Sequence, residues 1–459
     1  MPKNIIIIGG GISGLSLLHY LKIKYYFRKD VDVVLLEKED RLGGTIQTLS
    51  KNGCLFESGP NGFLDSKPRT FEFLKDLQLE NNLLRADEKA KIRYVSVRDT
   101  LYRLPEGLKS FFKFKLFSPL EKLRVLCEIF IPSLSDPSES VYDFGKRRLG
   151  EKFSKVFLDS MVSGIFAGDA RRINLKAAFP KMYDLENKHG SLMKAVLSLQ
   201  KQKKSNKSNR GGSPGMPSGT LTSFKKGMSE MIQTLASKYK ESIQLNENIQ
   251  AISVLDDQFL VCSESTQYRA DELFVCVPSY CAALMLKGLS PQLAEELKKI
   301  DYAPVAVVGF IFHRSDLGNM PSGFGYLIPS SEQKEVLGVL FESNIFPGRC
   351  SDGQILLRVM IGGVHRGEVF ERTQQQLFQI ALEELQLTLG IKSDPRDFFI
   401  IFWPQAIPQY DSNYVQAIQN IEQQLKERQN LHLVANYIGG ISMNDCIENA
   451  YQAAMKLQI

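Results

Sequence analysis

The chain has 459 residues, 43% of them hydrophobic and 24% charged, with a net charge of +6. That is ordinary globular composition, but too long for one core, so two or three domains are expected. No apolar run reaches the roughly 18 residues a spanning helix needs, and 7 scattered Cys without a CxxC, with 5 His lacking metal-ligand spacing, predict no zinc site and no disulfide framework, as in a reducing cytosol.

Ile5, Ile6, Ile7 and Ile8 form an apolar run that feeds Gly9, Gly10, Gly11, Ile12, Ser13 and Gly14, and helical spacing follows over 15–21. A second apolar run, 31–36, ends at Glu37. Strand, glycine turn, helix and strand ending in a carboxylate make the βαβ dinucleotide unit. Gly9 permits the tight turn, Gly11 lets a pyrophosphate approach the backbone, and Gly14 lets the helix lie close to the strand. The helix N-terminus offers free N–H groups and a positive dipole end. Glu37 falls where an acid binds ribose hydroxyls and repels a 2′-phosphate, so NADP is disfavoured while NAD and FAD remain. A signal peptide is the competing reading of an apolar stretch after Lys3; three consecutive glycines and a strand pattern continuing to Glu37 argue against it.

Lys38 follows, then Arg41, Leu42, Gly43, Gly44 and Thr45. This segment resembles the RxGG after the second strand of the FAD-dependent amine oxidase and desaturase superfamily, which tips the reading to FAD; Arg41 can neutralise phosphate. Gly59, Pro60, Asn61 and Gly62 close a turn-rich stretch, either a plain turn or backbone brought near a flavin ring. Residues 67–84 have helical spacing. Residues 92–104 alternate as two strands about a turn at Arg98 and Asp99. Then Phe111, Phe112, Phe114 and Phe117 interleave with Lys109, Lys113 and Lys115, and a helical stretch after Pro119 carries Leu120, Leu123, Leu126, Ile129 and Phe130. More helices to about residue 199 complete a helical insert. Its aromatic, basic segment suits either a membrane interface or packing among the insert's helices.

Residues 200–222 are Lys-, Ser-, Asn-, Gly- and Pro-rich, a mobile linker by composition. Nine of the 57 Lys and Arg fall in 187–229 without one Asp or Glu, leaving 48 basic against 51 acidic residues elsewhere. The basic character is thus local, and no nucleic-acid-binding surface is expected. A helix follows over 230–240. Strands are expected at 243–255, 259–262, 272–277, 305–313, 338–342, 355–361 and 398–403, with helices at 368–390 and 421–428. The last strand, 431–434, runs through Gly439 and Gly440 into Ile441, Ser442 and Met443, which open the last helix, 447–457. This second glycine-rich turn can offer another helix N-terminus to a flavin.

The chain resembles the oxygen-dependent protoporphyrinogen/coproporphyrinogen oxidase family. The matching segments are GGGISGL from Gly9, EKEDRLGGTI from Glu37, FESGPNGF from Phe56, IRYVSVRDTLYRLPEGL from Ile92 and VSGIFAGDARRINLKAAFP from Val162. They continue with SFKKGMSEMI from Ser223, GFGYLIPSSEQKEVLGVLFES from Gly323, LRVMIGGVHR from Leu357, WPQAIPQY from Trp403 and ANYIGGISMNDCIENA from Ala435. The terminal segments are shared with other flavin oxidases; the middle ones are more specific.

The resemblance implies an α/β (α+β overall) fold in three parts. These are a Rossmann-like FAD-binding domain (1–90, 223–300 and 400–459), a helical insert (91–200) that either faces a membrane or packs within itself, and a mixed-sheet substrate domain (301–399), with a basic linker at 201–222. It implies FAD as cofactor, a porphyrinogen substrate, oxygen or another acceptor, peroxide as co-product, and ferrochelatase downstream. It places Arg93 on a substrate propionate, Gly164 near the reacting carbon, and Leu327, Leu340 and Met360 on either side of the tetrapyrrole. Ile249 and Trp403 fall at flavin-contacting positions. The family often has Gly near Asn449 and Ala450. No transit peptide is read, so a cytoplasmic enzyme, peripheral on the membrane, is expected. Protoporphyrinogen IX is the first expectation and coproporphyrinogen III its rival. An amine oxidase, a carotenoid desaturase and a non-catalytic flavin-binding protein are the alternatives from other classes.

Overall fold

The computed structural model describes residues 3–196, 198, 219–318 and 320–458; residues 200–218 of the expected linker lie outside these. Strand β1 (Lys3–Ile8), helix α1 (Ile12–Lys24) and strand β2 (Val31–Leu36) form the expected unit. They sit in a five-stranded parallel sheet in the order Ile243–Gln244, β2, β1, Glu272–Val275, Leu431–Leu433. Both faces of a parallel sheet are covered, which is why β1 reads as an unbroken isoleucine run. Ile5 and Ile7 pack with Leu15, Leu18 and Ile447 under α1 and the last helix, Met443–Lys456. Ile6 and Ile8 pack on the other side with Ile252, Phe259 and Val261 of a three-stranded antiparallel meander.

The second sheet has seven strands, in the order Asp397–Pro408, Tyr302–His313, Gln354–Gly362, Val336–Leu340, Gly325–Leu327, Arg93–Val97, Thr100–Arg103. All neighbours are antiparallel except Gly325–Leu327 with Arg93–Val97. One face is buried under the helix Gln374–Leu389 through Val308, Phe310, Val359 and Leu385. The other face, with Val305, Val307 and Leu356, meets Cys54 and Phe56 from the first part of the chain. The sheet therefore takes in Arg93–Val97 and Thr100–Arg103, which the expected boundary at 91 gave to the helices, and all of Asp397–Pro408, which the boundary at 399 divided. Alternation identified the two strands in 92–104; the pairing of Arg93–Val97 with Gly325–Leu327, more than 200 residues away, was not readable locally.

Several helix ends also differ. The stretch 67–84 is helical only over Pro68–Asp76; Gln78, at φ 57°, turns the chain, and Leu83–Arg85 is a strand. The helix expected at 368–390 starts at Gln374, where Thr373 and Gln376 form a capping box. The one expected at 421–428 begins at Ser412 because the Asp411 side chain caps it. The strand expected to reach Glu342 stops at Leu340, and Glu342–Ile345 is helical.

The expected absence of disulfides is also corrected: Cys54 is bonded to Cys350. Leu55 N–H donates to Arg349 O at 2.7 Å and Ser351 N–H to Gly53 O at 3.0 Å. The two cysteines are thereby the non-hydrogen-bonded pair between antiparallel segments, where Cα atoms approach to about 4.5 Å; here the separation is 4.0 Å. Their 296-residue spacing hid the pairing in the sequence.

Helices Val141–Leu149, Asp159–Phe166 and Pro180–His189 form the helical part. Buried Arg148 lies 3.2 Å from Glu128 and 3.3 Å from Glu186, and Arg147 bridges Glu139 and Glu186 at 2.7 and 2.9 Å. Among the described residues, no helix is long and apolar enough to cross a membrane.

Candidate active site

The glycine turn after β1 leaves no room for side chains except at one point. A Cβ on Gly14 would stand 2.0 Å from Gly9 O, and one on Gly10 would stand 2.4 Å from a Leu42 methyl. Gly9, at φ +109°, is confined to a conformation that favours glycine. Gly11 faces open space, with nothing within 4 Å of its Cβ position. Gly43 N–H donates to Gly10 O at 2.8 Å, and Gly44 lies against Gly11. The two glycine segments thus form one cradle beside the N-terminus of α1, where Ile12 and Ser13 lie. It suits a pyrophosphate, which binds to backbone N–H groups and a dipole end.

Glu37 ends β2 nearly buried. Its Oε2 accepts from Gly10 N–H at 2.6 Å and its Oε1 from Glu39 N–H at 2.9 Å. Each oxygen keeps a second lone pair for a ribose hydroxyl. Lys38 is exposed and pairs with Glu39 at 3.2 Å. Arg41 curls onto Gly44 O at 3.0 Å, and Thr45 is exposed beside it. Ser442 caps the last helix, with Ile441 half-buried before it and Met443 buried after it. The side chain of Ile249 is in the core with Ile8, Leu36 and Val275, so only its backbone is left for a ligand.

Gly59, Pro60, Asn61 and Gly62 run from this cradle to the mixed sheet. Gly59 abuts Thr45 O, and Gly62 abuts Thr222 O. Trp403 Nε1 donates to Ser58 O at 2.8 Å, which holds this tryptophan next to the turn. Just upstream, Glu57 is buried and accepts from Arg349 at 2.8 Å, Met228 N–H at 2.9 Å and Thr48 at 2.8 Å. Burial raises its pKa, and Arg349 opposes that rise. Sequence reasoning missed this ion pair, because a lone Glu and a lone Arg 292 residues apart carry no spacing signal.

The mixed sheet supplies the other wall. Leu327 pairs with Gly338, and Gly338 with Met360, so Leu327 and Met360 share a face, and Leu340 lies on it one row along. Gly164, in helix Asp159–Phe166, stands against this wall: a Cβ there would meet Leu327 methyls at 2.8 and 2.9 Å. The helix ends at Ala167, which turns left-handed (φ 48°), and Gln409 Nε2 donates to Phe166 O at 2.8 Å. The segments around Gly164 and Trp403 are thereby locked together.

Arg93 lies at the rim, with its guanidinium 5.2 Å from the Phe324 ring. It has no carboxylate partner among the described residues. It is open to solvent, yet the surrounding protein lowers its pKa by desolvation. A separate polar cleft of about 560 Å³, between Ser140, Arg172 and Asp411, contains none of the residues singled out in the sequence.

The model of the flavin-containing amine oxidoreductases matches residues 12–458. The chain belongs to that family. It is 30% identical to protoporphyrinogen oxidase 1, chloroplastic, of Arabidopsis thaliana, over 100% of this chain and 88% of that one. It is 27% identical to coproporphyrinogen III oxidase of Staphylococcus aureus (strain NCTC 8325 / PS 47), over 99% and 98%. The crystal structure assigned as a protoporphyrinogen oxidase from Exiguobacterium sp. 255-15 superposes with a TM-score of 0.83 at 21% identity, over 99% of this chain and 98% of that one. The fold is thus that of FAD-dependent oxidases, and the chain is an FAD-dependent oxidoreductase. The cradle fits the cofactor: Gly11 and Gly44 leave the open strip that a dinucleotide fills.

Proposed function

We propose that this flavoenzyme oxidises a porphyrinogen to the porphyrin, with protoporphyrinogen IX as substrate. The observation that carries the reading is Arg93, an exposed cation without a carboxylate partner among the described residues, on the same sheet face as the apolar Leu327, Leu340 and Met360. A porphyrinogen is a broad apolar ring with carboxylate edges, so it needs that pairing of wall and fork. Gly164 lets the ring approach Leu327 closely. Bound FAD supplies the two-electron acceptor, and Gly9, Gly10, Gly11, Gly14, Glu37, Arg41, Gly43, Gly44 and the last helix's N-terminus would hold it. Gly59, Asn61, Gly62 and Trp403 bring the cofactor side to the substrate wall and exclude water there. Three turns remove six electrons and six protons from the ring, and three O₂ leave as three peroxides.

The test is the growth of porphyrin fluorescence under air with purified holoprotein. A rate well above autoxidation with protoporphyrinogen IX supports the reading; no growth with any porphyrinogen overturns it. Coproporphyrinogen III is the second reading, favoured by the similarity to the Staphylococcus aureus enzyme over 98% of its length. The ratio of the two rates decides between them. The product's chemistry points to ferrochelatase as its consumer.

We further propose that the helical part rests on a lipid surface. Phe112, Leu120, Leu123, Phe130 and Leu134 are exposed beside Lys113 and Lys115. Phe111, Phe114 and Phe117 are instead buried in an aromatic cluster with Phe153 and Phe157. The first group, not the second, would enter the interface.

A further inference from the structure

Arg358 sits in the middle of the strand Gln354–Gly362, which is otherwise almost wholly apolar (Ile355, Leu356, Leu357, Val359, Ile361). It is 5% exposed. The register puts it on one cross-strand row: Arg93 beside Gly325, Gly325 beside Leu340, Leu340 beside Arg358, Arg358 beside Gly309. The next row on the same face carries Leu327, Gly338 and Met360. Arg93 and Arg358 therefore lie on one face of one sheet, three strand spacings or about 14 Å apart. Arg93 marks the open end of the wall. Arg358 marks the end that meets the turn carrying Gly59, Pro60, Asn61 and Gly62.

Its contacts are specific. One guanidinium nitrogen, Nη2, donates to Gly59 O at 2.6 Å. The other, Nη1, is 3.6 Å from the nearly buried carboxylate of Glu342. Asn61 donates to the same carboxylate oxygen at 3.4 Å. The guanidinium lies 5.9 Å from the Phe56 ring, and Nε is buried without a hydrogen-bond partner. As a purely structural device this is poor: a buried ion pair of this length is commonly outdone by apolar residues of equal volume, and an unmet buried donor costs more. Desolvation lowers the pKa of Arg358, as expected of a cation kept where the fold alone gains little from it.

We propose that Arg358 is a positioning residue for the oxidation, holding the Gly59 turn against the substrate wall and fixing a buried positive charge at the boundary between cofactor and substrate. The inference rests on the cofactor and substrate reading above. Reduction of a bound FAD would add negative charge there, and the fixed Arg358 cation in a dry site would favour that charge without reorganising. Glu342 holds Arg358 in place and partly cancels its field. The two residues should therefore act on the cofactor in opposite directions.

The experiment is the midpoint potential of the bound FAD, measured by dye-coupled reduction of the holoprotein without any porphyrinogen, for wild type, Arg358→Met, Arg358→Lys and Glu342→Gln. Arg358→Met should lower the potential by about 30 mV, the value of a tenfold change for a two-electron couple. Glu342→Gln should raise it, and Arg358→Lys should stay near wild type. In turnover, Arg358→Met should lose about tenfold in kcat with KM within twofold, because no direct substrate contact is removed. An unchanged potential in both Arg358→Met and Glu342→Gln overturns the proposal, as does a shift of the same sign in both, which marks mere loosening of the site. If Arg358→Met does not fold, the sign of the Glu342→Gln shift decides alone. Because the potential is read without porphyrinogen, a wild type that oxidises no porphyrinogen defeats the substrate reading while the two potential shifts still test Arg358.

Discussion

Replacing Arg93 by Ala removes the exposed guanidinium at the open end of the substrate wall, and its environment sets the size of the loss. Among the described residues the guanidinium has no carboxylate to leave stranded, and it lies 5.2 Å from the Phe324 ring. The stability cost is then at most the exposed cation–π contribution, about 0.5–1 kcal/mol. A charge-assisted bond to a substrate carboxylate contributes about 1.5–3 kcal/mol, so kcat/KM should fall about 10- to 150-fold. The fall should appear in KM, because the propionate is bound equally before and during hydride loss. Arg93→Lys keeps the charge but not the fork, and should land between the two. The assay is initial-rate porphyrin fluorescence across substrate concentration, alongside thermal unfolding of each holoprotein. Wild-type kcat/KM in Arg93→Ala would refute the assignment of Arg93. So would a loss in kcat alone, since it would place the arginine's effect at the chemistry and not on the propionate.

Gly14→Ala should yield protein with little bound FAD, read as a low flavin-to-protein absorbance ratio, because its Cβ would stand 2.0 Å from the Gly9 carbonyl oxygen and must push α1 off β1. The Cys54→Ser/Cys350→Ser pair should lose about 2–4 kcal/mol in urea unfolding, the usual worth of a cross-link closing a long loop; labelling of both thiols in the unreduced wild type would contradict the bond itself. His19 is buried against Tyr239 and Phe73, and burial pulls its pKa down to about 4 from 6.5. The folded state therefore holds it neutral. Its stability is fully present above about pH 6.5 and falls towards pH 4 by up to about 1.4 kcal/mol per unit, because the unfolded chain takes up the proton first; a His19→Phe variant with the same pH slope as wild type would contradict this. Phe130→Asp and Leu120→Asp should weaken flotation with anionic vesicles at unchanged melting temperature, whereas Phe111→Asp should lower the melting temperature, since only Phe111 of the three is buried.

What the sequence disclosed follows from what each signal depends on. The cradle was legible because its requirements are local: a turn, a close approach and a helix start lie within six residues of one another, and Gly9, Gly11 and Gly14 each answer one of them. Glu37 was legible because strand length and crossover length fix where β2 must end. Six of the seven strands of the mixed sheet were also legible one by one, since Arg93–Val97 alternates and Tyr302–His313 is a continuous apolar run, whereas Gly325–Leu327, three residues long, carries no pattern of its own. Their order was not, because nothing local says that Arg93–Val97 pairs with Gly325–Leu327. The same reason hid Cys54 from Cys350 and Glu57 from Arg349.

Resemblance reached some of these distant positions, but only residues that carry a family role. Arg93, Gly164, Leu327, Leu340 and Met360 were named from separate segments, and the register gathers four of them onto one sheet face, with Gly164 against Leu327. Ile249 shows the opposite case: position in a motif suggested cofactor contact, while burial commits its side chain to the core. Arg358 shows what neither route finds. Its one sequence signal, a single Arg inside a nine-residue apolar strand, would ordinarily suggest an edge position or solvent contact. Only the register, which gives that strand a neighbour on each side, and the Gly59 turn bonded to the arginine turn the anomaly into a buried charge where that turn meets the mixed sheet.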